Sequence, residues 1–305
     1  MICLDIGGSS IRAAAVTLGA QPTVAHRLRV ETLAHQEGPA VLRRAVNLAA
    51  DVHRHLPAAL GVAIASAGVI APGTGRVTSA TGLMPGWAGT QINDAVEHEL
   101  GLVCTVLNDV HAHGLGEFTY GQGAGSSSAL IVAAGTGLGG ALINDGELLR
   151  GSSGHAGHIG HVHHAAAEGL LCTCGRTGHL ETIASGSGMA EQYETVRSSQ
   201  DPVAAGGADV VELAGSGIAA AQRVVHTAGR SLGESLGSLA NAWDPERIIL
   251  SGSVSGAGNE WWPHVQNGYR AAAMDALQNR PLLRGTLGDD APLLGAAVDH
   301  FATRN

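Results

Sequence analysis

LDIGGSSIRAAAV, residues 4–16, has the order strand, tight turn, strand, and this order decides the fold. Two glycines let the turn aim backbone N–H groups at a phosphate, and two serine hydroxyls can add donors. An aspartate at the strand end could hold Mg²⁺ through water. A plain β-hairpin with a Gly-Gly turn explains the same pattern equally well. Because a strand follows the turn, a Walker loop and a Rossmann fingerprint are excluded. The candidate residues are Asp5, Gly7, Gly8, Ser9 and Ser10.

The order strand, glycine turn, strand occurs again in the middle of the chain. A predicted strand, Ser128–Ala134, enters the turn Gly135–Gly140, and a second strand, Ala141–Ile143, leaves it. Two such hairpins favour two like-folded halves that close on one nucleotide, which neither hairpin alone would indicate. A third turn, Ser251–Gly256, follows a predicted strand, and its small side chains suit a flat base or a ribose.

Hydrophobic periodicity predicts the remaining elements. The predicted strands are Val24–Val30, Leu60–Ala65, Val103–Leu107, Arg247–Leu250 and Leu282–Leu287. The predicted helices are Gly38–Leu56, Gln91–Leu100, Ile183–Arg197, Ile218–Trp243 and Trp261–Gln278, with a final helix from Leu293. The polar segment Ser198–Asp209 is interpreted as a surface excursion.

Composition limits the possible partners. Of the 305 residues, 45% are apolar and 14% charged, so a sizeable core can form. The net charge of −9 argues against nucleic acid as the main partner, because phosphate binding needs a basic face. No run of about 18 apolar residues indicates a membrane span. Met1 leads directly into an apolar strand without a basic leader, and only four cysteines occur, so we expect a cytoplasmic protein.

A carboxylate follows one of the buried strands. Asp109 comes just past the strand Val103–Leu107 and begins a helix, which is a common active-site position in α/β folds. There it could accept a proton from an attacking hydroxyl. The position is equally typical of a helix N-cap, so both interpretations stay open.

The segment Gly154–Glu181 is rich in histidine and cysteine. His161, Cys172, Cys174 and His179 could complete a tetrahedral zinc shell, and the glycines between them allow sharp turns. The alternative is a solvated histidine-rich loop with two ordinary thiols. A zinc-dependent hydrolase would need an open metal position, which four protein ligands would close.

Taken in this order, the motifs resemble the ROK family of sugar kinases and sugar-responsive repressors. The resemblance spans nearly the whole chain. It rests on the runs Asp5–Gly8, Asn108–Asp109, Gly135–Gly140, Ala156–His161, Cys172–Glu181 and Leu250–Val254.

The resemblance implies an α/β fold of the two-domain, actin-like ATPase (hexokinase-like, ribonuclease H-like) class, with sugar and ATP in an interdomain cleft. We expect an N-terminal domain over residues 1–108, on which a C-terminal helix (291–305) packs back, and a larger domain over 109–290 with the zinc loop. Repressor members carry an extra N-terminal DNA-binding domain, for which this sequence leaves no room, so the kinase branch is favoured. A homodimer is common in the family.

The resemblance also assigns roles. Asp109 becomes the catalytic base, His161 both a sugar and a zinc ligand, and the turns hold ATP with Mg²⁺. The remaining sugar-site residues are Asn108, His158, Glu181 and Gly68. The remaining nucleotide-site residues are Asp5, Gly7, Gly8, Ser9, Ser10, Arg12, Gly135, Thr136, Gly137, Gly252 and Ser253.

Departures from the family pattern bear on the substrate. His158 stands where the family usually has Glu, and a neutral imidazole offers only one donor and one acceptor to sugar hydroxyls. Bacterial N-acetylmannosamine kinases resemble this chain at His158 and in the run Ile64–Gly68, which makes N-acetylmannosamine the favoured substrate. Glucose, fructose and a catalytically silent sugar sensor are the alternatives. His179 replaces a family cysteine, and the longer spacer after His161 makes His163 a rival zinc ligand.

Overall fold

Five strands form the first sheet in a computed structural model, which describes residues 1–304. The strand order is β3-β2-β1-β4-β7, in which the first three strands are an antiparallel meander and β4 and β7 run parallel to β1. A separate hairpin, β5 and β6, lies between β4 and β7 in the chain. The strands are β1 (Ile2–Ile6), β2 (Ser10–Thr17), β3 (Thr23–Glu31), β4 (Val62–Ser66), β5 (Val69–Ile70), β6 (Val77–Ser79) and β7 (Cys104–Asn108).

The second sheet repeats the plan of the first. Its order is β10-β9-β8-β11-β12, with β11 parallel to both β8 and β12 and β10 antiparallel to β9. In both sheets a hairpin with a glycine turn lies beside two parallel strands, so the predicted duplication is confirmed at the level of topology. The strands are β8 (Ala129–Ala134), β9 (Leu138–Asn144), β10 (Glu147–Leu148), β11 (Arg247–Ser251) and β12 (Leu282–Arg284).

The helices follow the predicted apolar stripes. In α1 the side chains at Val41, Ala45, Leu48 and Val52 are buried, because this spacing places them on one face. The helices are α1 (Glu37–His55), α2 (Ile92–Leu100), α3 (Asp109–Tyr120), α4 (Glu181–Ala184), α5 (Gly186–Val196), α6 (Gly207–Gly215), α7 (Ala219–Trp243), α8 (Ser253–Gly256), α9 (Trp262–Ala272) and α10 (Ala291–Ala302). Short 3₁₀ turns occur at Ala34–Gln36, Ile159–His161, Ala165–Ala167 and Gly288–Asp290.

Several elements differ from the prediction: the predicted helix Ile183–Arg197 is divided into α4 and α5, and the predicted strand Leu282–Leu287 ends at Arg284. Helix α6 begins inside the presumed surface excursion, and its apolar face (Val210, Val211 and Ala214) is buried. Helix α9 ends at Ala272 instead of Gln278, because the Asn241 side chain bonds both the Ala272 carbonyl and the Met274 N–H. The third glycine turn continues as the short helix α8.

The chain divides into two compact units. Unit 1 contains residues 1–125, 141–157 and the C-terminal segment from Leu287; unit 2 contains residues 126–140 and 158–286. The domain boundaries predicted from the sequence stay a prediction, and Asn305, the end of the predicted C-terminal helix range, lies outside the described residues. None of the helices within residues 1–304 has both the length and the apolar character that crossing a membrane requires.

In unit 1, helices α3 and α10 approach through glycines. A Cβ atom on Gly295 would overlap the carbonyl oxygen of Ala112, and one on Gly116 would overlap that of Ala291. Only glycine permits this approach, which fixes α3, the helix that follows β7 directly, against α10.

Candidate active site and metal centre

Asn108 and Asp109 join β7 to α3 in unit 1. The Asn108 Oδ1 accepts from the N–H groups of Val110 (3.1 Å) and His111 (3.0 Å), so Asn108 is the N-cap of α3. Its Nδ2 donates to the Gly68 carbonyl (3.0 Å) and to Asp109 Oδ1 (2.8 Å). The alternative interpretation of Asp109 as the N-cap is therefore wrong, since its neighbour caps the helix.

The Asp109 carboxylate has one engaged oxygen. Both Asn108 Nδ2 and the Val110 N–H (2.9 Å) donate to Oδ1, and no other side chain within residues 1–304 bonds to Oδ2. The pKa of Asp109 is raised to about 6, because burial and then the charge of Asp5 outweigh the hydrogen bonds, which lower it. A carboxylate that is ionised at neutral pH but titrates close to it suits proton transfer.

We expect Asp109 to lower the stability of the fold as pH rises. Its pKa is raised from 3.8 to about 6, so the folded state holds the proton more tightly than the unfolded state. The associated stability is fully present below pH 3.8 and is lost as pH rises through about 6. The free energy of unfolding of Asp109→Asn should therefore exceed that of the unaltered protein by up to about 3 kcal/mol at pH 8. Partial solvent exposure of the carboxylate makes this difference smaller. The difference should vanish near pH 4. Urea unfolding across this range measures the difference; a gain that does not change with pH would contradict the shift. Asp275→Asn, at an exposed position, is the control.

Asp5 and Arg12 face each other at the first glycine turn. Asp5, the penultimate residue of β1, is 4% exposed and accepts from Arg12 Nη2 (2.7 Å) and Nε (3.1 Å). Arg12 Nη1 pairs with Asp289. Burial raises the pKa of Asp5, and the Arg12 charge opposes this. Arg12 thus neutralises the residue predicted to hold Mg²⁺, and a cation there would share the carboxylate with the guanidinium.

Hydrogen bonds within the first glycine turn and from a residue after β3 fix its conformation. Gly7 donates to the Ser10 carbonyl (3.0 Å), and Thr32 both donates its hydroxyl to the Gly7 carbonyl (2.6 Å) and its N–H to the Ser9 carbonyl (3.0 Å). Gly8 and Ser9 are exposed, with open space beside Gly8. Sequence reasoning missed Thr32, because it follows β3, two strands after the turn.

The second glycine turn lies in unit 2 against the start of α5. Gly135 donates to the Gly137 carbonyl (3.0 Å), and the Gly135 and Thr136 carbonyls accept from the N–H groups of Gly186 (2.7 Å) and Ser187 (3.1 Å). The Ser187 hydroxyl also donates to the Thr136 carbonyl (2.6 Å). The sequence gives one signal for this contact, the glycines of Ser185–Gly188, which permit close packing.

Gly252 and Ser253 lie at the end of the strand next to this turn. β11 pairs with β8 in parallel, so the residues that follow the two strands emerge at one edge of the sheet. Gly252 has φ +93° and packs on Ala134, whose carbonyl a Cβ would overlap. Gly135, Thr136, Gly137, Gly252 and Ser253 therefore occupy one edge of the second sheet.

Four side chains in unit 2 form a compact cluster, which we call the His₂Cys₂ cluster. The ligand atoms of His161, Cys172, Cys174 and His179 all lie within 4.8 Å of one another. His161 and His179 Nδ1 are 3.2 Å apart, Cys174 Sγ is 3.2 Å from His179 Nδ1, and Cys172 Sγ is 3.7 Å from His161 Nδ1. Tetrahedral zinc with bonds of about 2.0–2.3 Å requires edges of about 3.3–3.8 Å, and these three separations are close to that range, so the donor set suits this ion.

His161, and not its rival, belongs to the His₂Cys₂ cluster. His163 forms a backbone bridge with His179, and its ring packs against Gly178. The geometry thus favours His161 as the ligand. Four protein ligands would close the shell around a metal, which argues against the hydrolase alternative.

Glu181 connects this cluster to the second glycine turn. Its Oε2 accepts from the Leu138 N–H (3.0 Å), and its Oε1 lies 3.9 Å from Cys172 Sγ and accepts from the Thr173 hydroxyl (3.4 Å). The His158 ring stacks on the His161 ring, with centroids 6.1 Å apart. A metal in the cluster would therefore fix two of the residues predicted to bind sugar.

Trp87 is fully buried. Its indole N–H donates to the Ala67 carbonyl (3.1 Å) and to the Ser66 hydroxyl (3.3 Å). Trp87 therefore belongs to the core and supports the run that leads to Gly68.

Known proteins match this chain over nearly its full length. The model described as "ROK family" matches residues 1–299. A glucokinase of Halalkalibacterium halodurans is 30% identical over 308 aligned positions, covering 96% of this chain and 92% of that protein. An N-acetylmannosamine kinase of Escherichia coli O139:H28 is 32% identical over 304 positions, covering 97% of each.

Solved structures of ROK proteins superpose on nearly the whole chain. A ROK family glucokinase from Streptomyces griseus, solved with glucose and AMPPNP, superposes with a TM-score of 0.84 at 26% identity and 98% coverage of both chains. A ROK hexokinase from Thermus thermophilus gives 0.83 at 28% identity, covering 100% of this chain and 99% of its own. ROK hexokinases have the two-domain actin-like ATPase fold, so the predicted fold class is confirmed. The chain belongs to the ROK family.

Proposed function

We propose that the protein is an ATP-dependent sugar kinase that transfers the γ-phosphate to the primary hydroxyl of a hexose or an N-acetylhexosamine. The observation that carries this proposal is Asp109, a carboxylate at a strand end with one oxygen available and a pKa raised to about 6. Family membership and the names of the glucokinase and N-acetylmannosamine kinase relatives support the same activity.

In this proposal Asp109 is the general base. Its Oδ2 accepts the proton of the sugar hydroxyl as that oxygen attacks phosphorus in line, while Asn108 holds Oδ1 and fixes the orientation of the carboxylate. Phosphoryl transfer needs little covalent help from the protein, so positioning and charge neutralisation supply most of the rate. The partial exposure of Asp109 gives a substrate hydroxyl access to it.

The glycine turns are proposed to bind the nucleotide. The exposed backbone at Gly8 and Ser9 and the hydroxyl of Thr136 offer donors to phosphate oxygens, and Gly252 with Ser253 offers a flat surface to the base or ribose. Mg²⁺ bound to ATP would neutralise phosphate charge, with Asp5 as the proposed protein contact. Arg12, already paired with Asp5, would contribute positive charge at the same turn.

The residues proposed to bind the sugar are Asn108, Gly68, His158, His161 and Glu181. Within unit 2 the proposed zinc acts structurally, since it would hold His161 and set the position of Glu181 through the intervening turn. The homodimer and the cytoplasmic location stay predictions.

N-acetylmannosamine is the favoured substrate in this proposal. Its support is His158 in place of the usual Glu, together with the E. coli relative named N-acetylmannosamine kinase. The H. halodurans relative named glucokinase supports glucose as the alternative.

A panel of sugars should separate these substrates. We expect ADP release with the highest kcat/KM on N-acetylmannosamine, and His158→Glu should shift the ratio towards glucose by about tenfold or more, as one good polar contact can. His155→Glu, at an exposed neighbouring position, is the matched control. Preference of the unaltered protein for glucose or fructose would contradict the assignment, and sugar binding without ADP release would identify a sugar-sensing protein instead.

A further inference from the structure

Two of the four cysteines lie in one β-turn of unit 2. The N–H of Gly175 donates to the Cys172 carbonyl (2.9 Å), which closes a four-residue turn with Cys172 at its first and Cys174 at its third position. The N–H of Cys172 donates to the Arg176 carbonyl (2.7 Å) and closes the loop one residue further out. The first and third Cα atoms of such a turn lie about 5–6 Å apart, within the range of about 4.4–6.8 Å that disulfides span. The backbone therefore allows a disulfide between these two cysteines.

The two thiol groups also lie close together. As members of the His₂Cys₂ cluster, Cys172 and Cys174 have their Sγ atoms within 4.8 Å of each other. A disulfide bond measures about 2.05 Å, and a change of the χ1 rotamer of one cysteine moves its sulfur far enough to close the difference. Formation of the bond therefore needs side-chain rotation and no rearrangement of the turn.

The two cysteines differ in exposure. Cys174 is exposed, whereas Cys172 is 3% exposed. An accessible thiol with a second thiol beside it is typical of peroxide-sensitive pairs, in which the accessible sulfur reacts first and the covered sulfur displaces the product. Cys3 and Cys104 lack this arrangement, because both are buried and their strands, β1 and β7, are separated by β4. Burial also raises the pKa of the Cys3 thiol to about 12.

We propose that Cys172 and Cys174 form an oxidative modification site, at which hydrogen peroxide converts the two thiols to a disulfide. The Cys174 sulfur attacks the peroxide, so that an S–O bond forms, the O–O bond breaks and the leaving oxygen departs as water. The Cys172 sulfur then attacks Cys174, so that the S–S bond forms, the S–O bond breaks and a second water leaves. Two thiols together lose two electrons and two protons, and one peroxide is reduced to two water molecules.

The disulfide would remove two of the four donor atoms of the His₂Cys₂ cluster. Two histidines are too few for the four-coordinate shell of structural zinc, so oxidation should release a bound ion. Cys172 Sγ lies 3.9 Å from Glu181 Oε1, so the same step changes the surroundings of that carboxylate. Disulfide formation itself needs only the two thiols, and it depends neither on zinc nor on kinase activity.

Hydrogen peroxide added to the full, reduced chain tests the proposal. Trypsin cuts after Arg150 and Arg176, so the peptide of residues 151–176 contains Cys172, Cys174 and no other cysteine. When free thiols are alkylated after treatment, we expect this peptide to be unalkylated and lighter by two hydrogen atoms than its dithiol form. A chromogenic chelator should detect about one zinc ion released for each disulfide, and dithiothreitol with added zinc should reverse both changes. The two buried cysteines should remain thiols.

A pair of variants separates disulfide formation from general oxidative damage. Cys174→His keeps four metal ligands but only one thiol of the pair, so it should bind zinc before treatment and retain it afterwards. Cys104→Ala removes a thiol outside the His₂Cys₂ cluster, so it should form the disulfide and release zinc as the unaltered chain does.

Three results would overturn the proposal. The peptide of residues 151–176 could remain a dithiol under peroxide, it could carry sulfinic or sulfonic acids without a disulfide, or Cys174→His could release zinc as fast as the unaltered chain. A reduced chain without zinc would refute the release of metal, whereas the mass of the peptide tests the disulfide whether or not a metal is bound.

Discussion

Asp109→Asn should lower kcat by a factor of about 10²–10⁴ and leave the affinity for sugar nearly unchanged. The amide cannot accept the proton of the attacking hydroxyl, but it has almost the same shape and can still bond to Asn108 and Val110. The loss should therefore appear in kcat and not in the dissociation constant of the sugar. Coupled ADP-release kinetics and calorimetric sugar titration measure the two quantities separately.

Stability separates this effect from misfolding. Because the ionised carboxylate is unfavourable in its partly buried position, the Asn variant should be at least as stable as the unaltered protein at neutral pH. An Asn variant that is inactive but more stable would show that the Asp109 carboxylate serves catalysis and not folding. Nearly normal turnover would exclude Asp109 as the base. Asp275→Asn, exposed and remote in sequence, should have normal kinetics.

Loss of zinc should have the second-largest effect. We expect about one zinc ion per chain by elemental analysis, and Cys172→Ser should release it and lower the melting temperature on the order of 10 °C. Activity should fall about tenfold to a hundredfold, since Glu181 and His158 are held through residues of the His₂Cys₂ cluster. A chelator should reproduce both losses in the unaltered protein, and added zinc should reverse them.

Two controls make the metal assignment specific. Cys104→Ala changes a buried thiol outside the cluster, so it should retain zinc whatever it does to stability. His163→Ala should also retain zinc, because the cluster contains His161 instead. Full zinc content in Cys172→Ser, or its loss in His163→Ala, would refute the proposed ligand set.

Features encoded within short stretches could be predicted from the sequence. Each glycine turn is flanked by its own strands, and these hairpins define the duplicated sheets. The members of the His₂Cys₂ cluster fall between His161 and His179, so their spacing alone indicated a metal site. The Asp109 position followed from a buried strand that ends in a carboxylate.

Features that join distant segments could not be predicted. Arg12 meets Asp289, and Arg150 meets Asp299, across long separations that only tertiary packing brings together. Local sequence left open whether Asp109 caps α3, and three-dimensional contact with Gly68 shows how the residue that does cap it, Asn108, is oriented. Helix α6 was missed because polar residues precede it and its apolar face is short.

The glycine contact between α3 and α10 has a consequence for genetic variation. A methyl group at Gly116 or Gly295 would overlap the backbone of the facing helix. To relieve this overlap α3 would have to move as a whole, and Asp109 at its N-terminus would move with it. Neither glycine carries a functional group: Gly116 lies two turns along α3 from Asp109, and Gly295 lies on the neighbouring helix α10. Positions without any chemistry of their own can thus be as intolerant of replacement as the aspartate, and a survey of inactive alleles would find them intermingled.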